Sequence, residues 1–222
     1  MKKNDENKSY YETRFAFDRK RQYVWQVLSR WIQKRFVPAD AAVLDLGCGY
    51  CGFINNIRAK RKYGLDSSPV TRQYAAPDVL LKIGDAARSL GVFKAASLDV
   101  VFASNFFEHL DEASFDRVLA GVTRALKPGG RLIAIQPNFQ YAYRNYFDDY
   151  THRRIFTHTG FCDRLKADGF GIDVCRPRFL PFSMKSGMGA FYRLIRLYLA
   201  LPFKFNAGQM LVVAEKSRGA RG

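Results

Sequence analysis

Residues 41–53 read AAVLDLGCGYCGF, and INNIRAK (54–60) follows. An apolar run ends in a turn with glycines at 47, 49 and 52, ahead of a helix-compatible stretch. A strand opening into G-x-G-x-x-G lets the backbone approach a nucleoside closely, because glycine carries no Cβ and tolerates positive φ. Asp66 stands 21 residues after Asp45, at the end of the next strand-like run, RKYGLD (61–66). A carboxylate there can accept from both ribose hydroxyls. Asp45, two residues before Gly47, suits a ligand ammonium and opposes a pyrophosphate. Asp85, in IGDA, can accept from an adenine exocyclic amine. No Tyr-x-x-x-Lys pair occurs, so an amino-acid-bearing adenosine ligand is favoured over NAD.

Working outward, DVLLKIGD (78–85), SLDVVFAS (97–104) and RLIAIQP (131–137) read as further strands. Ser67-Ser68-Pro69 reads as a helix start. A helix over 111–126 sets Phe115, Val118, Leu119, Val122 and Leu126 on one face and stops at LKPGG. Strands alternating with helices imply crossovers, hence a parallel sheet covered on both faces. Upstream, Tyr23, Val24, Val27, Leu28, Trp31 and Ile32 recur at helical spacing between Phe15 and Phe36, and Pro38 closes that helix. Downstream come an aromatic, charged stretch (138–157), a helix near 159–168, and two strands, 171–179 and 207–215. About 27 residues (180–206) separate these strands. Within them Phe191, Leu194, Ile195, Tyr198 and Leu201 fall on one face of a helix over 190–201.

DLGCG, GLDSS, IGDA, SLDVVFASNFFEHL and LKPGGRLIAIQPN, in this order, resemble class I S-adenosylmethionine-dependent methyltransferases. The resemblance implies an α/β, Rossmann-like, doubly wound sheet of seven strands, order 3-2-1-4-5-7-6, with the last strand antiparallel. It implies S-adenosylmethionine as cofactor and S-adenosylhomocysteine as product. Gly47, Cys48 and Gly49 would back the methionine moiety with Asp45 beside them. Asp66 would serve the ribose, Asp85 and Ala86 the adenine, and Asn105 the methionine group, with Ser67 a further cofactor contact. Many relatives carry glycine at the Cys51 position, whereas here glycine comes at 52. Residues 1–40 then form an N-terminal helical segment and 41–222 the cofactor-binding domain. Within that domain, 138–157 is the substrate segment and 180–206 a helical insertion.

The 222 residues carry 36 basic and 20 acidic side chains, a net charge of +16, and 48% are apolar. That composition suits one globular core and anionic company, and argues against wholesale disorder. MKKNDENKSYYETR lacks an apolar core, and no apolar run approaches the roughly 20 residues of a spanning helix. A cytoplasmic protein, at most peripheral to the inner membrane face, is therefore expected. Four cysteines make no disulfide framework. Cys48-x-x-Cys51 lacks a second pair, since Cys162 and Cys175 stand 13 residues apart, so no metal is expected.

An oxygen nucleophile needs a base. His152, in NYFDDYTHRR, is the first candidate, with Asp149 as its partner; His109 closes NFFEHL after the fourth strand. Tyr141, Arg144, Tyr150 and Arg153 are candidate acceptor contacts, and Tyr11 and Arg14 could fold over the methionine carboxylate. The expected acceptor is a small molecule, a glycan or a lipid-linked intermediate, methylated on oxygen. Residues 190–205 are a candidate membrane contact, too short to span a bilayer. RNA methylation and a non-catalytic binding protein are the alternatives. Nucleic acid is disfavoured because Asn105-Phe106-Phe107-Glu108 lacks the Pro-Pro-aromatic signature and no RNA-binding module is visible.

Overall fold

In the computed structural model, which describes residues 17–182 and 189–219, seven strands make one sheet. They are β1 (Ala42–Leu46), β2 (Arg61–Asp66), β3 (Val79–Ile83), β4 (Leu98–Ser104), β5 (Leu126–Pro137), β6 (Phe170–Pro181) and β7 (Ala207–Lys216). The order is β3-β2-β1-β4-β5-β7-β6. β1 to β5 run parallel, and β7 runs antiparallel to both β5 and β6. Fold class and strand order are those that the resemblance implies.

Side chains alternate across a strand, so each face collects every second residue. Val43, Val100, Phe102, Ile133, Ile135, Leu211 and Val213 point to one face. That face is covered by α1 (Arg19–Phe36), through Val24, Val27, Leu28 and Ile32. Leu44, Leu46, Val101, Leu132, Ala134 and Val212 point to the other face. There α3 (Glu112–Ala125) and α5 (His158–Ala167) pack, capped by Asp111 and Thr157; a short helix, α2 (Ala86–Ser89), lies between β3 and β4, and another, α4 (Phe139–Ala142), follows β5.

The first crossover departs from expectation. INNIRAK forms a single 3-10 turn, Ile54–Asn56, because its asparagines bond elsewhere. Asn55 Nδ2 donates to the Tyr74 carbonyl (2.7 Å) and its Oδ1 accepts from Ala76 N (3.0 Å), while Asn56 Nδ2 donates to the Gly52 carbonyl (2.8 Å). Such side-chain bonds compete with helix continuation. The next crossover is also a 3-10 helix, Pro69–Gln73, capped by Ser68. The first face is therefore roofed by α1 and by α6 (Gly189–Ala200) from the insertion.

The single apolar stripe expected on α6 divides in two. Ile195, Tyr198 and Leu199 are buried against the domain. Leu194 and Leu197 are exposed at 50% and 57%, and Phe203, just beyond the helix, at 85%. The side chain of Phe191 lies outside the described residues.

Candidate active site

The carboxyl ends of β1, β2 and β4 and the loop after β3 open onto one cleft of about 1260 Å³. This is the side on which ligands meet open α/β sheets, and here the strand order reverses between β1 and β4. Asp45, Gly47, Cys48, Gly49, Asp66, Ser67, Asp85, Ala86 and Asn105 all line it. Tyr141, Arg144, Asp149, Tyr150, His109, His152 and Arg153 line it too. Tyr11 and Arg14 lie outside the described residues.

The turn after β1 is pinned by Gly47 N–H donating to the Leu65 carbonyl (2.8 Å). Gly47 has φ +70, and a Cβ on it would stand 2.5 Å from the Phe106 ring. Cys51 itself takes φ +56, so the left-handed bend survives without a glycine there. Gly52 serves packing instead, with Trp25 of α1 seated against it. Hydrogen bonding with Cys51, then burial, pushes the Cys48 thiol well above its usual range. It is a thiol, not a metal-ready thiolate.

Asp66 ties the turn to β2: Oδ2 accepts from Gly49 N (2.8 Å) and Oδ1 from Ser68 N (2.8 Å). Asp85 accepts from Ala87 N (2.9 Å), capping α2. A carboxylate offers about four acceptor sites, so holding the loop is compatible with holding a ribose or an adenine amine. Burial pushes Asp45 up to about 8. A ligand ammonium would compensate such a desolvated carboxyl, so the residues present fit an adenosyl amino acid.

At the other end of the cleft, Arg153 N and Arg154 N both donate to the Glu108 carbonyl (2.8 and 3.1 Å), stitching the segment after β5 to the loop after β4. This brings the rings of His109 and His152 to 5.0 Å. Thr151 Oγ1 donates to Asp149 Oδ1 (2.5 Å), so His109 Nδ1–H donates to Thr151 Oγ1 (3.0 Å) and the lone pair sits on Nε2. His152 Nδ1–H donates to the Tyr146 carbonyl (2.7 Å), which likewise leaves its lone pair on Nε2. Burial, aided by His152, pulls His109 down to about 4, so its ring is neutral. Burial would raise Asp149, but the two Thr151 donors and both histidines outweigh it, and its pKa is lowered.

Glu108 is fully buried, and neither carboxyl oxygen has a hydrogen-bond partner among the described residues. Burial pushes it up to about 8. Glu108 and Thr151 were not singled out in the sequence, and neither were Trp25, Arg178 and Phe182, which also line the cleft. The strand grammar carries no signal for side chains that reach a site from α1, β6 or a loop-to-loop contact.

Residues 44–134 match the methyltransferase domain family. Among solved structures, a SAM-dependent methyltransferase from Archaeoglobus fulgidus is 18% identical with a TM-score of 0.66, covering 95% of this chain and 99% of that one. The complex of the Haloferax volcanii Trm112 methyltransferase activator with a putative methyltransferase contains a match at 16% identity and TM-score 0.70, covering 99% of both chains. The geranyl diphosphate C-methyltransferase of Streptomyces coelicolor A3(2), solved with Mg2+, geranyl diphosphate and S-adenosyl-L-homocysteine, is 14% identical with a TM-score of 0.61. That match covers 85% of this chain and 76% of that one.

Proposed function

We propose that the chain, whose residues 44–134 match the methyltransferase domain family, acts as a class I S-adenosylmethionine-dependent methyltransferase on a hydroxyl oxygen of a small-molecule, glycan or lipid-linked acceptor. The cofactor is S-adenosylmethionine, which supplies an electrophilic methyl group on a sulfonium. One observation carries the oxygen reading. In the cleft that Asp45, Asp66 and Asp85 also line, His109 and His152 hold their lone pairs on Nε2 beside Asp149, a group suited to receiving a hydroxyl proton. His152 is the foremost proton acceptor, oriented by the Tyr146 carbonyl; Asp149 and Thr151 orient His109.

Tyr143 and Tyr150 line the cleft and are exposed, and Arg144 and Arg153 add cations beside them. This favours an acceptor with an apolar part and an anionic or hydroxylated part. The insertion leaves the sheet after Phe182 and returns at Asn206, both cleft residues. Leu194, Leu197 and Phe203, exposed on it, would rest on an anionic bilayer surface and bring the cleft to a lipid-linked acceptor on the inner face. The RNA alternative keeps the net charge in its favour and no other observation.

Release of S-adenosylhomocysteine over a panel of hydroxylated glycans, lipid-linked sugars and RNA tests the reading. Turnover with a hydroxyl acceptor, lost in His152→Ala while S-adenosylmethionine affinity is kept, supports it. Turnover on RNA alone, or full activity of that variant, removes it.

A further inference from the structure

A carboxyl group buried without a hydrogen bond is costly and calls for a physical reason. Glu108 is such a group. One ligand atom each from Glu108, His109 and His152 lie within 4.8 Å of one another. We propose that these three residues bind a divalent transition-metal ion at the acceptor end of the cleft.

Two imidazoles and one carboxylate are a donor set suited to zinc, manganese, cobalt or iron in the divalent state. Metal-bound histidines characteristically donate their second ring N–H to an oxygen acceptor, which fixes tautomer and orientation. Both histidines already do so: His109 Nδ1–H to Thr151 Oγ1 and His152 Nδ1–H to the Tyr146 carbonyl. Asp149 extends the first of these chains through Thr151. The set draws on the loop after β4 and the segment after β5, and the backbone bonds from Arg153 and Arg154 to Glu108 hold the two together. The expectation of no metal came from the cysteines and did not weigh these residues.

This inference rests on the reading that the acceptor hydroxyl meets this end of the cleft, and it refines how the proton leaves. The hydroxyl oxygen coordinates the ion, which makes the proton more acidic. The O–H bond breaks and its proton passes to the Asp149 carboxylate. The oxygen lone pair forms the O–CH3 bond as the C–S bond breaks, and that electron pair stays on sulfur. His152 then holds the ion instead of taking the proton itself.

The test titrates the chelator-treated full chain, bound to S-adenosylhomocysteine, with Zn2+, Mn2+ and Co2+ by calorimetry, with Co2+ also followed by its visible absorption. One ion per chain is expected. Glu108→Gln and His152→Ala should each weaken binding at least roughly tenfold. Melting temperature and S-adenosylhomocysteine affinity identify a variant that has merely misfolded, and the other variant then decides. Cys175→Ser, an exposed position on β6 outside the cleft, should bind as the parent does. No binding by the parent, binding as tight as the parent's in both variants, or full methyl transfer by the metal-stripped chain would overturn the site. A bound ion with no hydroxyl acceptor found would keep the site and sink the oxygen reading instead.

Discussion

Trp25 fills the space into which any side chain on residue 52 would project: a Cβ on Gly52 would stand 2.5 Å from the indole Cδ1. Ser29, one turn further along α1, donates to the Gly52 carbonyl (3.4 Å). The helix that covers this face, where the first crossover is only a 3-10 turn, therefore also braces the glycine turn after β1. Gly52→Ala should cost about 1–3 kcal/mol, as overpacking does, and weaken S-adenosylmethionine binding. Trp25→Leu in the same chain should recover part of the loss. Urea unfolding and calorimetry of the two single variants and the double variant measure this; strictly additive effects would refute the contact.

Asp45 should link cofactor binding to pH. Burial raises its folded pKa from 3.8 to about 8, above its unfolded value. Between about 4 and 8 the folded, cofactor-free protein holds a proton that the unfolded chain has lost. This group's contribution to stability therefore falls as pH rises through that window and levels off above it. A cofactor ammonium favours the carboxylate, so binding expels the proton and affinity should rise with pH toward 8. Asp45→Asn should flatten both profiles. Calorimetry in buffers of different ionisation enthalpy counts the released proton directly.

The half of the cleft formed by the strand ends was legible because it is written in local grammar. Strand, glycine turn and terminal carboxylate put Asp45, Asp66 and Asp85 at successive strand ends, whatever the rest of the chain does. The half that holds His109 and His152 depends on contacts between distant segments. His109 and His152 were visible as residue types, but Thr151 joined them only once the Arg153 and Arg154 amides were seen on the Glu108 carbonyl. The roof of the first face was misread for a similar reason. INNIRAK is compatible with a helix by composition, and its asparagines are diverted by Tyr74, Ala76 and Gly52, partners that spacing alone does not reveal.

Asp66 carries two burdens, and a substitution should separate them. Its oxygens accept from Gly49 N and Ser68 N in the cofactor-free fold, and the ribose would add further donors. Asp66→Asn keeps one good acceptor and loses the charge. Hydrogen bonds to charged groups contribute about 1.5–3 kcal/mol each, so affinity for S-adenosylmethionine should fall roughly 10- to 150-fold. Asp66→Ala should fall further and also lower the melting temperature of the cofactor-free protein. Asp66→Asn with parental affinity would remove the ribose assignment.

The two sides of α6 make opposite predictions. Ile195 is fully buried, so Ile195→Ala should destabilise the fold by about 2–5 kcal/mol. Leu194, Leu197 and Phe203 are exposed, so the triple change to serine should alter stability by no more than about 0.5 kcal/mol per site and leave cofactor affinity intact. It should nevertheless abolish co-sedimentation with vesicles containing phosphatidylglycerol, and binding by the parent chain should weaken as salt screens the lipid charge. Sedimentation velocity without lipid provides the counter-test. If the parent chain is a dimer that the triple variant converts to a monomer, with vesicle binding unchanged, the exposed stripe is a self-association face and the bilayer reading fails.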